Sequence, residues 1–213
     1  MTFISAVAGG GAMWHGVFLS LGLILPLGVQ NVFIFQQGAY QKRLWRVLPA
    51  VLTAALCDTL LITLAVTGVS VIVMDHVWLK SLLMGAGTLF LLYMGWITWN
   101  SKPRIPGKDG QAGYSARHQI AFAASVSLLN PHAILDTVGV IGTSSLQYAG
   151  TDRYVFVLSC IAVSWAWFAL LALAGRWAGS LDATGGLLVW LIRLSAVFIW
   201  IVAFTLLYSF YPG

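Results

Sequence analysis

Glutamate is absent from this 213-residue sequence, and charge of either sign is scarce. Eleven Lys or Arg and six Asp make up 8% of the chain, whereas a soluble domain carries about 25% charged residues. Apolar residues reach 60%. This balance excludes a water-soluble globule and a disordered chain, and it predicts an all-α integral membrane protein.

Cysteine is nearly absent as well, and the motifs of most catalytic classes are missing. Cys57 and Cys160 both lie in apolar runs, which excludes a disulfide framework and a zinc site. The chain has no H-E-x-x-H, no Gly-rich phosphate loop and no G-x-S-x-G. We therefore expect no metal, no cofactor and no enzyme. The net charge of +5 lacks the soluble basic face that nucleic-acid binding needs.

Apolar segments of about 20 residues, the length that spans a bilayer as a helix, occur six times. They cover residues 16–35, 51–73, 82–99, 120–143, 154–175 and 187–208. We predict six transmembrane helices in a bacterial inner (plasma) membrane, surrounded by lipid. Because residues 1–15 carry no Lys or Arg, the basic region of a signal peptide is missing, and we expect this segment to be retained.

Basic residues are unequally divided between the two sides of these spans. Eight follow spans one, three and five, and two lie on the opposite side. By the positive-inside rule the loops with eight basic residues are cytoplasmic and both termini are periplasmic. Residues 100–118 form the longest connection and contain Pro103, Pro106 and three Gly, which predicts a flexible linker.

This linker divides one transporter domain, 1–213, into halves at 16–99 and 119–208. Three spans in each half mean that repeated halves are inverted relative to each other. A weak internal match, in which Pro26 aligns with Pro131, favours a 3+3 inverted repeat. In secondary transporters with this plan, interrupted helices surround a substrate site near the membrane midplane.

Proline interrupts the first and fourth spans near their centres. Pro131 follows Asn130, and this pair suits the end of one helix and the start of another. Pro26 lies at the matching depth of span one, followed by Gly28 and by two amides, Gln30 and Asn31. We predict that both helices break at Pro26, Gly28, Asn130 and Pro131, which leaves backbone amide groups inside the protein.

Two aspartates, Asp58 and Asp136, lie within the spans. An Asp at the centre of a spanning helix costs about 2.5–3.5 kcal/mol, and such residues usually mark a path for ions or substrate. Arg193 is the one other charge in a span, and we interpret it as snorkelling to the interface. At least one carboxylate is therefore predicted to lack a permanent partner. His132 is either a proton acceptor or a hydrogen-bonded imidazole within the break.

Three functions remain open for these residues. The first is a secondary transporter, driven by a proton or sodium gradient because no ATP-binding motif exists. The second is an exporter of a small cation or metal ion. The third is an intramembrane aspartyl protease, in which two Asp would share one proton.

Four motifs resemble the lysine/arginine exporter (LysE/ArgO) family. They are LPLGVQN at 25–31, CD at 57–58, GAG at 85–87 followed by YMG at 93–95, and LNPHAILDT at 129–137. The resemblance covers nearly the whole chain. It implies export of basic amino acids, L-arginine or L-lysine, from bacterial cells, with another amino acid as the alternative. A homodimer stays open.

The residues and the resemblance together suggest a binding site. We expect substrate to contact Asp136, Asp58, Asn130, Pro131, Gln30, Asn31 and Thr137. Asp136 and Asp58 are also the candidates for the coupling ion, H⁺ or Na⁺. Three positions depart from the family pattern, with Val29 in place of Pro, Ile134 in place of Tyr and Arg193 in place of a neutral residue.

Overall fold

The structure, a computed structural model, describes residues 2–25, 28–41, 43–69, 77–100, 114–181 and 186–208. All regular secondary structure in these ranges is helical, which confirms the all-α prediction. The α-helices of more than three residues are α1 (Thr2–Ile24), α2 (Val29–Tyr40), α3 (Leu48–Leu64), α4 (Val77–Trp99), α5 (Ala116–Leu129), α6 (Pro131–Asp136), α7 (Gly150–Leu181) and α8 (Gly186–Tyr208).

Two short π-helical segments extend the helices that carry the aspartates. Residues Ala65–Val69 continue α3, and Thr137–Gly142 continue α6. The two segments pack against each other. Gly68 adopts φ +104° inside the first segment, a conformation that glycine reaches without steric cost. Single π turns within helices occur frequently at functional sites.

Among the described residues, fewer helices than predicted are both long enough and apolar enough to cross a membrane. Within the described ranges, Leu48–Gly68 and Gly150–Ser180 are long and apolar enough to cross a bilayer alone. The bent pair Gly10–Ile24 and Val29–Tyr40 makes a third candidate, and Ile192–Thr205 is a shorter apolar helix. Six spans are therefore not confirmed, and the inverted repeat stays a prediction.

Two helices extend beyond the apolar segments from which the spans were predicted. α7 has 32 residues, ten more than the apolar segment 154–175, because polar residues at both ends continue the helix. α5 begins at Ala116 and so includes Arg117 and His118, the last two residues of the predicted linker. The Ser115 side chain caps this helix by accepting a hydrogen bond from the His118 backbone N–H. Residues 101–113 of the linker lie outside the described ranges.

α7 is the helix against which both parts of the first broken span pack. It contacts α1, α2 and α3, while α5 packs on α3 and α8 packs on α4. Close approach to α2 depends on glycine: a Cβ at Gly175 would lie 2.8 Å from the carbonyl carbon of Phe35, and one at Gly179 would lie 2.8 Å from the Ala39 carbonyl oxygen. Small residues of this kind let membrane helices pack backbone to backbone.

Candidate functional site

The first helix interruption lies between Ile24 and Val29. The axes of the two helices differ by 82°, and Gly28, in extended conformation, is the N-cap of α2. Pro26, predicted to cause the break, lies outside the described residues. A helix end leaves backbone carbonyls without intrahelical donors. Here the Asn31 side-chain amide donates to the Ile24 carbonyl oxygen at 2.7 Å and so stabilises the C-terminal end of α1.

The second interruption is at Asn130, where α5 ends and α6 begins. Asn130 has φ −81° and ψ 105°, outside the helical region, because the ring of the following Pro131 disfavours helical geometry in the preceding residue. The Asn130 carbonyl then accepts the first hydrogen bond of α6, from the Ile134 N–H at 3.1 Å. The side chains of Pro131 and His132 lie outside what the structure describes.

A cavity of about 240 Å³ lies between the two interruptions. Its walls come from α1, α2, α3, α4, α6, α7 and α8. The polar residues around it are Ser20, Gln30, Asn31, Asp58, Asn130, Asp136, Thr137 and Ser164. Six of the seven residues expected to contact substrate therefore line one cavity, although they are up to 107 positions apart in the sequence. Pro131 adjoins them through the backbone of α6.

The two aspartates reach the cavity from different helices. Asp58 projects from α3, and its carboxylate accepts a hydrogen bond from the Ser164 side chain of α7. Asp136 is the last residue of α6, directly before the π-helical segment that starts at Thr137. The described residues contain no group of three His, Cys, Asp or Glu that could hold a metal ion. The site is therefore a pocket with two carboxylates and several amides.

The other walls of the cavity are apolar. Ile62, Leu91, Phe168, Phe198 and Ile199 contribute to them. Binding sites for small molecules commonly combine such walls with a few polar groups that fix the orientation of the ligand. A ligand with both polar ends and a methylene chain would match both kinds of surface.

Gln30 is held by a residue that the sequence did not single out. The Ser127 hydroxyl of α5 donates to Gln30 Oε1 at 2.8 Å. Ser20, Ser164, Phe168 and Phe198 were missed as well. No sequence signal marks a serine in an apolar helix as part of a site, because its hydroxyl can bond the backbone of its own helix. Ser164 and Phe168 are four residues apart, which places them on one helix face.

Four other polar or ionisable residues do not belong to the lining of the cavity. Arg193 is exposed, with its guanidinium 5.8 Å from the centre of the Trp99 ring. Cys57 and Cys160 are buried free thiols. His15 hydrogen-bonds the Tyr148 hydroxyl at 2.8 Å. None of the four is among the residues that line the cavity.

Two buried glutamines connect the chain segments around residues 41–46 and 114–119. Gln119 Nε2 donates to the backbone carbonyls of Arg46 at 2.9 Å and Tyr114 at 2.8 Å. Gln41 Nε2 donates to the same Tyr114 carbonyl at 3.1 Å. Both glutamine side chains are buried. These bonds fasten the C-terminal end of α2 to the start of α5, on the side where the basic loops are predicted.

Comparison with known proteins gives a consistent result. The family described as LysE type translocator matches residues 21–210. A protein provisionally named amino-acid transporter YisU, from Bacillus subtilis (strain 168), is 57% identical over 192 residues, which cover 90% of this chain and 87% of that protein. No solved structure matches the chain.

Two relatives carry the name arginine exporter protein ArgO. That of Pectobacterium carotovorum subsp. carotovorum (strain PC1) is 37% identical over 170 residues, covering 76% of this chain and 80% of the relative. That of Salmonella paratyphi B is 33% identical over 196 residues, covering 91% and 92%. These matches point to a membrane transporter and not to an enzyme.

Proposed function

The chain belongs to the LysE family of translocators, and on this premise we propose that it exports cationic amino acids, arginine or lysine, across the bacterial inner membrane. The observation that carries the proposal is the cavity between two interrupted helices, which holds both Asp58 and Asp136. The names of the ArgO relatives, arginine exporters, and of YisU, an amino-acid transporter, agree with it.

The size and chemistry of the cavity suit such a substrate. An apolar cavity of about 150 Å³ is large enough to bind benzene, and this one has about 240 Å³. A guanidinium or ammonium group would pair with the carboxylates, and the methylene chain would lie against apolar walls such as Ile62 and Leu91. The amides of Gln30, Asn31 and Asn130 and the hydroxyl of Thr137 supply hydrogen bonds to the polar groups of the amino acid.

Export of a cation needs a source of energy. Moving one positive charge out against an inside-negative potential costs about 2.3 kcal/mol per 100 mV. We assign the coupling to inward movement of H⁺ or Na⁺ through the same carboxylates. A single carboxylate cannot bind a proton and pair with a substrate cation at once. Competition at Asp136, at the end of a short helix beside the break, is therefore sufficient for antiport.

The proposed architecture follows the transporter plan. Six spans form a 3+3 inverted repeat, with halves at 16–99 and 119–208 and a cytoplasmic linker at 100–118. Both termini are periplasmic. The presence of helix interruptions at 25–28 and at Asn130, one in each half, supports this arrangement. Asp58 and Asp136 also come from different halves and line the same cavity.

Counterflow in proteoliposomes tests the substrate. Liposomes that contain the purified chain and are loaded with unlabelled arginine should accumulate labelled arginine, and unlabelled lysine should support the same exchange. Cells that lack their own exporter should also gain resistance to canavanine on expressing the chain. Exchange of neutral amino acids alone, or of metal ions alone, would show that the substrate assignment is wrong.

Variants of Asp136 test the mechanism. Asp136→Asn keeps the shape and removes the charge, so arginine exchange should be lost while the protein still folds and inserts. Asp136→Glu should retain partial exchange. Asp152→Asn is the matched control, because Asp152 lies in the first turn of α7 and does not line the cavity. Normal exchange with unchanged pH dependence in Asp136→Asn would transfer the role to Asp58.

A further inference from the structure

Ser127 uses its hydroxyl differently from most hydroxyl residues of the helices. Thr59, Ser125 and Ser159 donate to the carbonyl four residues earlier in their own helix, at 2.7–2.8 Å. The Ser127 hydroxyl instead donates to a side chain 97 positions away, the Oε1 atom of Gln30. Ser127 is buried, with 1% of its surface exposed.

This bond determines how the Gln30 carboxamide is oriented. Oε1 is occupied by Ser127, so that the amide group Nε2 is the end left for another partner. Nε2 is buried and has no acceptor within the part of the chain that the structure describes. A buried donor without a partner destabilises a protein, and such groups in native structures usually have a functional reason. Gln30 lines the substrate cavity, so a bound ligand can supply the missing acceptor.

We propose that Ser127 is a positioning residue, which holds the Gln30 carboxamide so that Nε2 donates to the α-carboxylate of the exported amino acid. The inference rests on the proposed function and adds to it a recognition of the carboxylate end. Guanidinium and ammonium groups are donors only, and they cannot satisfy an N–H group. The carboxylate is the acceptor that such a substrate carries.

The proposal separates two recognition tasks within one cavity. Asp58 and Asp136 attract the cationic end, and the same carboxylates repel an α-carboxylate placed beside them. Gln30, on the first turn of α2, gives that group a neutral donor. It follows that the cavity distinguishes arginine from agmatine, which has the guanidinium group and the methylene chain but lacks the carboxylate.

The test compares these two compounds in proteoliposome counterflow. For the wild-type chain we expect a half-saturating concentration about tenfold lower for arginine than for agmatine, as one hydrogen bond to a charged group provides. Ser127→Ala should raise the half-saturating concentration for arginine about fivefold, because the Gln30 amide is then free to turn but still present. The half-saturating concentration for agmatine and the maximal rate should not change. Gln30→Leu should abolish the preference for arginine.

Ser125→Ala is the matched control. Ser125 lies two residues away on the same helix, is exposed and bonds its own helix backbone, so its loss should change neither value. If Ser127→Ala raised the half-saturating concentration equally for both compounds, or for neither, the positioning role would be overturned. Wild-type exchange of arginine without preference over agmatine would overturn it too, while the proposed function would stand. Absence of any arginine exchange would overturn both.

Discussion

Close packing between α2 and α7 offers a sharp test of the fold, through the substitution Gly175→Ala. The added Cβ would lie 2.8 Å from the carbonyl carbon of Phe35 and 3.1 Å from its Cα. The Phe35 carbonyl oxygen would be closer still. Carbon atoms in contact are about 3.5–4.0 Å apart, so the helices must separate by about 1 Å or more. The obstacle is backbone, which cannot turn aside as a side chain can. The first turn of α2 carries Gln30 and Asn31, so this movement also reaches the cavity.

The expected loss follows from two opposing effects. Overpacking costs about 1–3 kcal/mol, with the upper value appropriate for a clash with backbone. Replacing glycine by alanine within a helix gains about 1 kcal/mol. We therefore expect Gly175→Ala to lower the free energy of unfolding by about 2 kcal/mol. Gly22→Ala is the matched control, since Gly22 is an exposed residue of α1 with no atom within 4 Å of its added Cβ. It should gain up to about 1 kcal/mol.

Thermal unfolding of the two variants in detergent measures this difference. For a chain of about 200 residues, 1 kcal/mol shifts Tm by about 2–4 °C, so the variants should differ by roughly 6–12 °C. Gly38→Ala adds a methyl group at the same interface from the side of α2, and its Cβ would clash with the backbone of Ala172. The double variant Gly38→Ala, Gly175→Ala should lose less free energy of unfolding than the two single variants added together, because helices that have already separated accommodate the second methyl group. A Tm of Gly175→Ala equal to that of Gly22→Ala would refute the packing argument.

Three further predictions concern other parts of the molecule. Gln119→Leu should lower the free energy of unfolding by about 1–3 kcal/mol, because the Arg46 carbonyl loses this donor and the Tyr114 carbonyl keeps only that of Gln41. Gln147→Leu, at an exposed amide, should change Tm little. Arg193→Gln should leave arginine exchange intact and cost at most about 1 kcal/mol, the value of an exposed cation–π contact; lost exchange would contradict its structural role. In a chain without Cys57 and Cys160, an impermeant maleimide should label Gln147→Cys in intact cells, and Gly107→Cys only after permeabilisation. The reverse pattern would invert the predicted topology.

Much of the candidate site could be predicted because its residues are unusual where they occur. A carboxylate or carboxamide within an apolar segment is costly, so Asp58, Asp136 and Gln30 stood out, and the structure places all three around one cavity. The Asn130-Pro131 pair was informative for a local reason, the restriction that proline imposes on the preceding residue. Both signals can be evaluated without knowledge of the tertiary structure.

Other features depend on contacts that no sequence pattern reveals. Ser127 and Ser164 resemble any serine in a membrane helix until their partners across the bundle are known. The bond from Gln119 to the Arg46 carbonyl joins residues 73 positions apart. The full length of α7 was missed because apolar character measures contact with lipid, whereas the backbone hydrogen bonds of a helix continue into polar sequence.

Amides near the first helix interruption have two physical roles, and this explains why the interruption and the binding site coincide. Breaking a helix in a low-dielectric interior exposes carbonyls that water cannot satisfy, so a donor must come from the protein. Asn31 supplies one to Ile24. The neighbouring residue Gln30 carries the same carboxamide group but contacts Ser127 and keeps its Nε2 without an acceptor among the described residues. One amide therefore stabilises the break, and the next is available to a ligand. Substitution of Asn31 should accordingly affect folding first, whereas substitution of Gln30 should affect substrate recognition first.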